Sequence, residues 1–393
     1  MLFKYRSALF KYPFLFYIVL STLFVRLPYW LLSSIRPSWR PRPSWDLRHV
    51  LTVRMFQVAI RTLFEVGLFP PPDESKKAGS EYVVVPAVPP ELVAGEVKGY
   101  AEMNSVSPTD VGGFWYGQRN DQGAAGQKAG EGETVIYHLH GGGYIMGGAG
   151  PGEMAIPDIC NGLIDHISCV KRVFALEYRL SSSAPFKAAN PFPASLLDAV
   201  AGYRYLVGLG FLPENIIVAG DSAGGNLAIA LTRYLVTSAG PMLNPPGRLI
   251  LLSPTVEWII THDGPGSSFE RNATSDFCQP FFKGYTARAL AGNMSLEDAM
   301  SNSWISPGSR RVEHNDGIYS GFPVTCIHAG EAEFQLDSMA TFRKRLEENI
   351  EEGKVKYIET FGGTHDFIGF TTFEPERTEA LKEIAAWVEA TRT

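Results

Sequence analysis

The sequence of 393 residues predicts an α/β protein with a central, mostly parallel β-sheet and helices on both of its faces. Two observations predict this class. From about residue 82 onward, short runs rich in β-branched and aromatic residues alternate with longer amphipathic runs. Most of the short runs are apolar at nearly every position, which is typical of parallel strands that are buried on both faces.

The individual elements follow from these runs in chain order. Six apolar runs predict strands, at residues 134–139, 172–178, 216–220, 248–252, 323–328 and 354–359. Five amphipathic runs predict helices, at residues 154–168, 193–208, 222–237, 337–349 and 375–391. Residues 112–132 contain seven glycines and predict a loop or a hairpin tip. Residues from about 257 to 321 interrupt the alternation and predict an insertion with its own helices over the sheet.

Composition excludes several classes of function. The 35 Lys and Arg residues against 41 Asp and Glu residues give a net charge of −6, so no basic field exists to bind nucleic acid. The four cysteines have neither the paired spacing of a zinc site nor the density of a disulfide scaffold. We therefore expect no nucleic-acid partner, no metal and no cofactor.

The N-terminal segment, residues 1–36, is predicted to be a hydrophobic membrane anchor. Its apolar run, residues 14–32, would form a helix of roughly 28 Å, close to the hydrocarbon thickness of a bilayer. Arg26 and Pro28 interrupt this run, so a cleaved secretory signal and a helix buried in the protein or lying in the membrane interface remain alternatives. Basic residues on both sides of the run leave its orientation open.

Residues 37–80 are predicted to form a linker and an N-terminal cap helix. The prolines of residues 37–43 exclude a regular helix there, and Ser44 or Asp46 could then cap a helix over residues 47–68. Apolar residues recur in this helix at steps of three and four, so one of its faces must be covered. A triple proline at 70–72 and a polar stretch at 73–81 predict the boundary before the main domain, residues 81–393.

A possible nucleophile lies in the sequence Gly220-Asp221-Ser222-Ala223-Gly224. This G-x-S-x-G motif follows a predicted strand and precedes a predicted helix, which is the context of a nucleophile elbow. Such a turn holds the serine in a strained conformation and exposes its hydroxyl above the sheet, beside the positive end of a helix. The alternative is an ordinary serine N-cap in a glycine-rich turn.

A second motif, His140-Gly141-Gly142-Gly143, directly follows the first of the predicted strands. Acyl transfer places negative charge on the former carbonyl oxygen, and preorganised backbone N–H groups stabilise that charge. We assign Gly142, Gly143 and Ala223 as the predicted oxyanion donors. A phosphate-binding loop is the competing interpretation, but the lysine and the glycine spacing of such loops are missing.

A serine nucleophile needs a base and a carboxylate that orients the base. His365 lies in a predicted loop between the last strand and the last helix, where its side chain could lean over the sheet edge. The turn after the fifth predicted strand offers Glu331, Glu333 and Asp337 as the carboxylate. The other histidines are expected to be structural or have no supporting context, and these are His49, His138, His140, His166, His262, His314 and His328.

These motifs together resemble the hormone-sensitive-lipase-like family of α/β-hydrolases. The resemblance rests on HGGG at 140–143, YRL at 178–180, PFPAS at 191–195 and GDSAGGNLA at 220–228, and it covers residues 134–393. It implies an α/β-hydrolase fold with a helical cap, formed by the N-terminal helix and the insertion at about 257–321. It also implies the catalytic residues Ser222, His365 and Glu333. Glu333 stands where many members have aspartate, and Asp337 is then expected to play a supporting or structural role.

The resemblance implies hydrolysis of a small carboxylic ester through an acyl-enzyme. An amidase or arylformamidase with the same residues, and a non-catalytic lipid-binding protein, are the alternatives. The N-terminal segment and the glutamate also resemble fungal steryl acetyl hydrolases. That narrower resemblance implies a steryl acetate substrate and a single-pass protein of the endoplasmic reticulum, with secretion as the alternative. Asn272 and Asn293 begin glycosylation sequons that would be available in a lumenal domain.

Overall fold

The computed structural model describes residues 2–67, 79, 81–120, 123–238, 243–313 and 316–392. Its centre is a sheet of eight strands in the order β1-β2-β4-β3-β5-β6-β7-β8. The edge strand β1 pairs antiparallel with β2, β2 pairs antiparallel with β4, and the remaining pairs are parallel. The strands are β1 (Tyr82–Val85), β2 (Val111–Gly117), β3 (Thr134–Leu139), β4 (Val170–Glu177), β5 (Ile216–Asp221), β6 (Arg248–Leu252), β7 (Val324–Gly330) and β8 (Val355–Thr360).

Helices cover both faces of this sheet and extend above one edge. The helices within the described residues are α1 (Ala8–Ser21), α2 (Leu27–Ser33), α3 (Leu47–Val66), α4 (Gly95–Asn104), α5 (Ile156–His166), α6 (Ala194–Gly208), α7 (Ala223–Thr237), α8 (Ser268–Arg271), α9 (Tyr285–Ala291), α10 (Leu296–Ser301), α11 (Leu336–Asn349) and α12 (Glu376–Ala390). The fold class predicted from the sequence is confirmed. The six predicted strands and five predicted helices are present, with ends that differ by at most two residues.

Alternating side chains of the strands enter two separate apolar cores. Tyr137 of β3 packs with α6, α7 and α11 on one face, whereas the adjacent Ile136 packs with α5 and α12 on the other. Nearly every side chain of the central strands is buried as a result. This two-sided burial explains why those strands read as continuous apolar runs rather than as an alternating pattern.

The prediction of a loop or hairpin tip over residues 112–132 was wrong for its first part, because β2 occupies Val111–Gly117. Glycine usually weakens a strand. Here aromatic rings cover the glycines, since a Cβ on Gly112 would come within 2.1 Å of the Tyr82 hydroxyl and one on Gly113 within 2.3 Å of the Phe174 ring. The missing side chains therefore make room for rings from neighbouring strands.

The N-terminal segment forms a continuous helical rod over Ala8–Ser33, in which a π-helical turn at Thr22–Arg26 joins α1 to α2. Arg26 and Pro28 do not break it. The rod is long and apolar enough to cross a membrane, and its most apolar window is only 6% buried. Length and composition do not distinguish such a span from a signal sequence.

Helix α3 lies against this rod and begins at the N-cap predicted for it. The Asp46 side chain accepts a hydrogen bond from the His49 amide at 2.7 Å. The helix ends at Val66, followed by Gly67 in the left-handed conformation with φ of 67°. Residue 68, the predicted helix end, the proline stop at 70–72 and most of the predicted domain boundary at 73–81 lie outside the described residues.

The predicted insertion at 257–321 contains helices α8, α9 and α10, and it divides into two parts. Phe277 and Phe281 join Phe64 of α3 in a third apolar cluster above the carboxyl edge of the sheet. Leu290 and Trp304 instead pack into the core that contains α6 and α7. The first part of the insertion therefore faces the sheet edge, and the second part extends the body of the protein.

Candidate active site

Ser222 lies in a strained turn between β5 and α7. Its backbone has φ of 51° and ψ of −114°, a combination that L-residues rarely adopt. A Cβ on Gly224 would come within 1.9 Å of the Leu139 carbonyl, and one on Gly220 within 2.3 Å of the Gly224 carbonyl. Glycine is therefore required at both positions by backbone contact, as the motif predicts.

His365 and Glu333 meet this serine at the carboxyl edge of the sheet. The His365 Nε2 atom lies 2.9 Å from the Ser222 hydroxyl, and Nδ1 lies 2.9 Å from Glu333 Oε2. The second Glu333 oxygen, Oε1, accepts from the Ser253 hydroxyl at 2.7 Å and from the Gly330 amide at 2.6 Å. Since Glu333 is fully buried and its oxygens are bonded, the carboxylate is held in one orientation. The structure thus brings the three predicted residues into one hydrogen-bonded row.

The glycine loop after β3 lies beside Ser222. Gly142 and Gly143 have φ of 105° and 65°, which favour glycine. The Asp221 carboxylate fixes the loop by accepting a hydrogen bond from the Gly141 amide at 2.9 Å. The amides of Gly142, Gly143 and Ala223 have no hydrogen-bond acceptor in the described part of the chain. These three N–H groups are therefore free to bind an anionic oxygen.

A further carboxylate, that of Asp366, approaches the same face of the histidine. Its Oδ2 lies 3.2 Å from His365 Nε2, and its backbone has φ of 50°. Burial opposes protonation of His365, but Asp366 and then Cys278 favour it, and together they hold the pKa of His365 well above its ordinary value. Cys278 also lies near the imidazole, and burial raises the pKa of its thiol to about 12, so it is neutral at physiological pH. Burial raises the pKa of Asp366 itself to about 7, so His365 and Asp366 compete for a proton near neutral pH.

A cavity of about 390 Å³ opens over the serine. Its polar wall is formed by Ser222, His365, Asp366 and the glycine loop. Its other walls are mostly apolar, and they include Ile60 and Leu63 of α3, Met146, Met154, Trp258, Phe277, Phe281, Phe282 and Phe370. The site is thus a mostly apolar pocket with a few convergent polar groups, which is the usual form of a small-molecule site.

The remaining candidate carboxylates have other contacts. Glu331 pairs with Arg42 at 3.1 Å. Asp337 accepts hydrogen bonds from the Ser268 amide at 2.8 Å and from Arg271 at 3.1 Å, which ties α8 to α11. Neither hydrogen bonds to His365 in the described structure. Among the three open candidates, Glu333 is therefore the carboxylate that contacts the imidazole.

Several other histidines are held by packing or hydrogen bonds. The ring of His140 stacks on Tyr178 with centroids 4.1 Å apart. His262 bridges Glu257 at 3.1 Å and Thr341 at 2.8 Å. Burial lowers the pKa of His328 to about 4, so this residue is neutral at physiological pH. These contacts support structural roles, while His314 lies outside the described residues.

One group of side chains has the spacing of a metal site. Donor atoms of Asp276, Glu333 and His365 lie within 4.8 Å of one another. The Asp276 oxygens already accept from the amides of Cys278 and Phe334, both at 2.9 Å. The oxygens of Glu333 are occupied as well, so internal hydrogen bonds account for this cluster without a cation.

Sequence reasoning missed Ser253, Asp276 and Asp366, and it also missed Thr255, whose hydroxyl lies 3.3 Å from that of Ser222. Ser253 had a usable signal, since it directly follows β6 and the carboxyl ends of parallel strands meet at one edge. Asp276 had no such signal in the sequence, because it reaches the site from within the insertion.

The two glycosylation sequons differ in exposure. Asn272 is fully buried and donates to the Glu331 and Glu333 carbonyls, whereas Asn293 is exposed. The expectation that Asn272 is available for glycosylation is therefore wrong.

Comparison with known proteins identifies the family. A family model described as the α/β-hydrolase fold matches residues 136–369, more than half of the chain. The chain belongs to this family. It is 28% identical over 254 residues to an esterase of Acinetobacter venetianus, a match that covers 64% of this chain and 73% of that protein.

Solved structures show the same fold. A carboxyl esterase 2 from Tuber melanosporum gives a TM-score of 0.59 at 18% identity, over 86% of this chain and 98% of that one. A hormone-sensitive lipase from a metagenome library gives a TM-score of 0.57 at 24% identity, over 88% of this chain and 99% of that one. These likenesses confirm the predicted fold, and the family match together with the esterase relative confirms the prediction of a hydrolase of this family.

Proposed function

We propose that this α/β-hydrolase cleaves carboxylic esters of apolar small molecules through an acyl-enzyme. The observation that carries the proposal is the row of hydrogen bonds from Ser222 through His365 to Glu333, which ends at an apolar cavity beside free amide groups. The esterase relatives support the same reaction class. The steps below follow from the geometry of these groups.

In the first half-reaction, the Ser222 oxygen attacks the ester carbonyl while His365 Nε2 accepts the hydroxyl proton. Glu333 accepts from Nδ1–H, which selects the tautomer whose Nε2 is an acceptor and stabilises the imidazolium that forms. The carbonyl oxygen becomes an oxyanion, which the amides of Gly142, Gly143 and Ala223 stabilise. The imidazolium then returns the proton to the leaving alcohol.

In the second half-reaction, water attacks the acyl-enzyme and His365 accepts a proton from that water. The same amides stabilise the second oxyanion. Its collapse releases the carboxylic acid and returns the proton to Ser222. The ester supplies the acyl group and the leaving alcohol, and one water supplies the oxygen and protons that complete the carboxylic acid, so both half-reactions balance.

The walls of the cavity favour an apolar substrate. Aromatic and aliphatic side chains from α3 and from the insertion enclose it. The apolar rod Ala8–Ser33 suits attachment to a membrane, from which such a substrate could be drawn. We therefore propose a membrane-associated enzyme of the endoplasmic reticulum, with an acylated sterol such as a steryl acetate as one member of the substrate class.

The test is Ser222→Ala, assayed with p-nitrophenyl acetate and p-nitrophenyl butyrate. We expect kcat to fall by about 10⁶-fold, and labelling by a fluorophosphonate to disappear, because no other group can form the acyl-enzyme. Ser320→Ala is the matched control, since Ser320 is exposed before the amino end of β7, at the opposite edge of the sheet. Turnover by Ser222→Ala within tenfold of the wild type would contradict the proposal.

A substrate panel then separates the finer alternatives. It contains steryl acetates, short alkyl esters and the matching anilides. Faster cleavage of the anilides than of the esters would favour an amidase. Equal rates for steryl and short alkyl acetates would show that the apolar walls do not select a sterol.

A further inference from the structure

A second cavity, of about 750 Å³, lies between the N-terminal rod and the body of the protein. We call it the helix groove. The rod, helix α3 and residues 273–283 form its walls. Four basic side chains line it, and they are Arg26, Arg54, Arg61 and Lys283. The groove thus places positive charge beside the exposed apolar surface of the rod.

Most of this charge has no internal counterion. Arg54 donates to the neutral Gln57 Oε1 at 3.3 Å, and burial lowers the pKa of its guanidinium. Arg26 reaches only the Thr22 hydroxyl, at 3.5 Å. In the described residues, no carboxylate lies within 4.0 Å of the charged group of Arg26, Arg54 or Lys283. Arg26 and Arg54 are half-buried, whereas Lys283 is exposed. A half-buried cation without a counterion is costly, so a mobile anion would stabilise the groove.

The two carboxylates of the groove do not change this balance. Glu65 pairs with Arg61 at 3.4 Å. Asp276 accepts from the backbone amides of Cys278 and Phe334, so its oxygens are held away from the basic side chains of the groove. Arg26, Arg54 and Lys283 therefore have no carboxylate partner within ion-pair distance in the described part of the groove. Guanidinium groups bind phosphate oxygens through paired N–H donors, which makes a phosphate the best-matched anion.

The outer face of the rod indicates where that phosphate comes from. Large apolar side chains are exposed along it, with Phe10 at 57%, Phe16 at 65%, Phe24 at 73% and Leu32 at 64%. A continuous apolar surface of this kind fits the hydrocarbon of a bilayer. A charged residue on such a helix needs a partner, and Arg26 faces the groove.

We propose that the helix groove binds the phosphate headgroup of an anionic membrane lipid. This inference rests on the membrane association given under the proposed function, but it does not depend on the catalytic serine. Lipid bound there bridges the rod to helix α3 and fixes the catalytic cavity relative to the membrane. Phe277 lines both cavities, so the bound lipid lies one side chain away from the catalytic cavity.

The experiment uses the full chain in mild detergent and measures lipid binding by native mass spectrometry. Phosphatidic acid and phosphatidylcholine with identical acyl chains are titrated, and inorganic phosphate is added as a competitor. We expect phosphatidic acid to bind in preference. Arg54→Gln should weaken that binding about fivefold, since each basic side chain at a lipid surface contributes about 1 kcal/mol. Arg54→Gln with Arg61→Gln should weaken it further.

Arg48→Gln is the matched control, because Arg48 is an exposed arginine of the same helix that does not line the groove. We expect it to retain binding within twofold, and circular dichroism checks that each variant is folded. Ser222→Ala should keep the preference for phosphatidic acid, which separates this inference from the proposed catalysis. Equal binding of the two lipids, an equal loss in Arg48→Gln, or displacement by inorganic phosphate at a matched concentration would each overturn the proposal.

Discussion

The carboxyl edge of the sheet and the cap above it are held together in different ways. At the edge, backbone atoms fix the catalytic groups: Gly224 approaches the Leu139 carbonyl, and Glu333 accepts from the Gly330 amide. In the cap, ring packing dominates, as between Phe64 and Phe281, whose centroids are 4.9 Å apart. Backbone contacts tolerate few substitutions and packing tolerates many. We therefore expect changes at the edge to abolish activity and changes in the cap to alter it modestly.

After Ser222→Ala, Glu333→Gln is expected to give the largest effect at this edge. Ser253 and Gly330 donate hydrogen bonds at this position, so the amide oxygen of the glutamine would accept from them. The amide nitrogen would then face His365 Nδ1. The imidazole would then carry its proton on Nε2 and could not accept one from Ser222. A loss of about 10⁴-fold in kcat follows, to be measured with p-nitrophenyl acetate.

Glu331→Gln is the control for this variant, because it changes the same residue type in the same turn. Its carboxylate pairs with Arg42 rather than with the histidine. We expect kcat to stay within threefold. If both variants lost activity equally, Glu333 would not be the orienting carboxylate.

Gly143→Ala tests whether the loop acts through its backbone. A Cβ there would lie 2.4 Å from the Phe281 ring, at a φ of 65°. The loop must shift, and losing one aligned oxyanion donor lowers kcat by about 10²- to 10³-fold. Gly130→Ala is the control, since the nearest atom to its Cβ is 3.5 Å away. If the ring contact causes the loss, adding Phe281→Ala should restore part of the activity. If activity does not recover, the positive φ at residue 143 alone accounts for the loss.

Asp366→Asn should change the pH dependence of kcat/KM. Catalysis needs neutral His365, so kcat/KM rises as pH passes upward through the pKa of His365. The Asp366 carboxylate raises that pKa, and removing the charge lowers it. The rise of kcat/KM with pH should therefore occur about one pH unit lower in the variant. At a fixed pH below the pKa of His365, kcat/KM should then be roughly tenfold higher than in the wild type. Asp165→Asn, an exposed position on α5, should leave the profile unchanged. A shift to higher pH would refute this role.

The same contrast explains what could be predicted from the sequence. Ser222, the glycine loop and His365 were found because short backbone turns impose residue types that can be read locally. Glu333 was chosen through family resemblance, since three carboxylates share its turn and only the contact with His365 separates them. Asp276 could not be found, because it arrives from the insertion through tertiary packing. Strand β2 was missed for a related reason, as rings from other strands compensate for its glycines.

Asp337→Asn is expected to give the smallest effect, and it probes the junction between the edge and the cap. Asp337 accepts from the Ser268 amide and from Arg271, so it joins α8 to the first turn of α11. An asparagine oxygen can keep the bond to Ser268, while the charge near the helix N-terminus and the exposed ion pair with Arg271 are lost. The free energy of unfolding should fall by about 0.5–1 kcal/mol, measured by urea denaturation, and kcat should stay within threefold. A loss of activity as large as that of Glu333→Gln would mean that the junction, and not the edge alone, positions the catalytic residues.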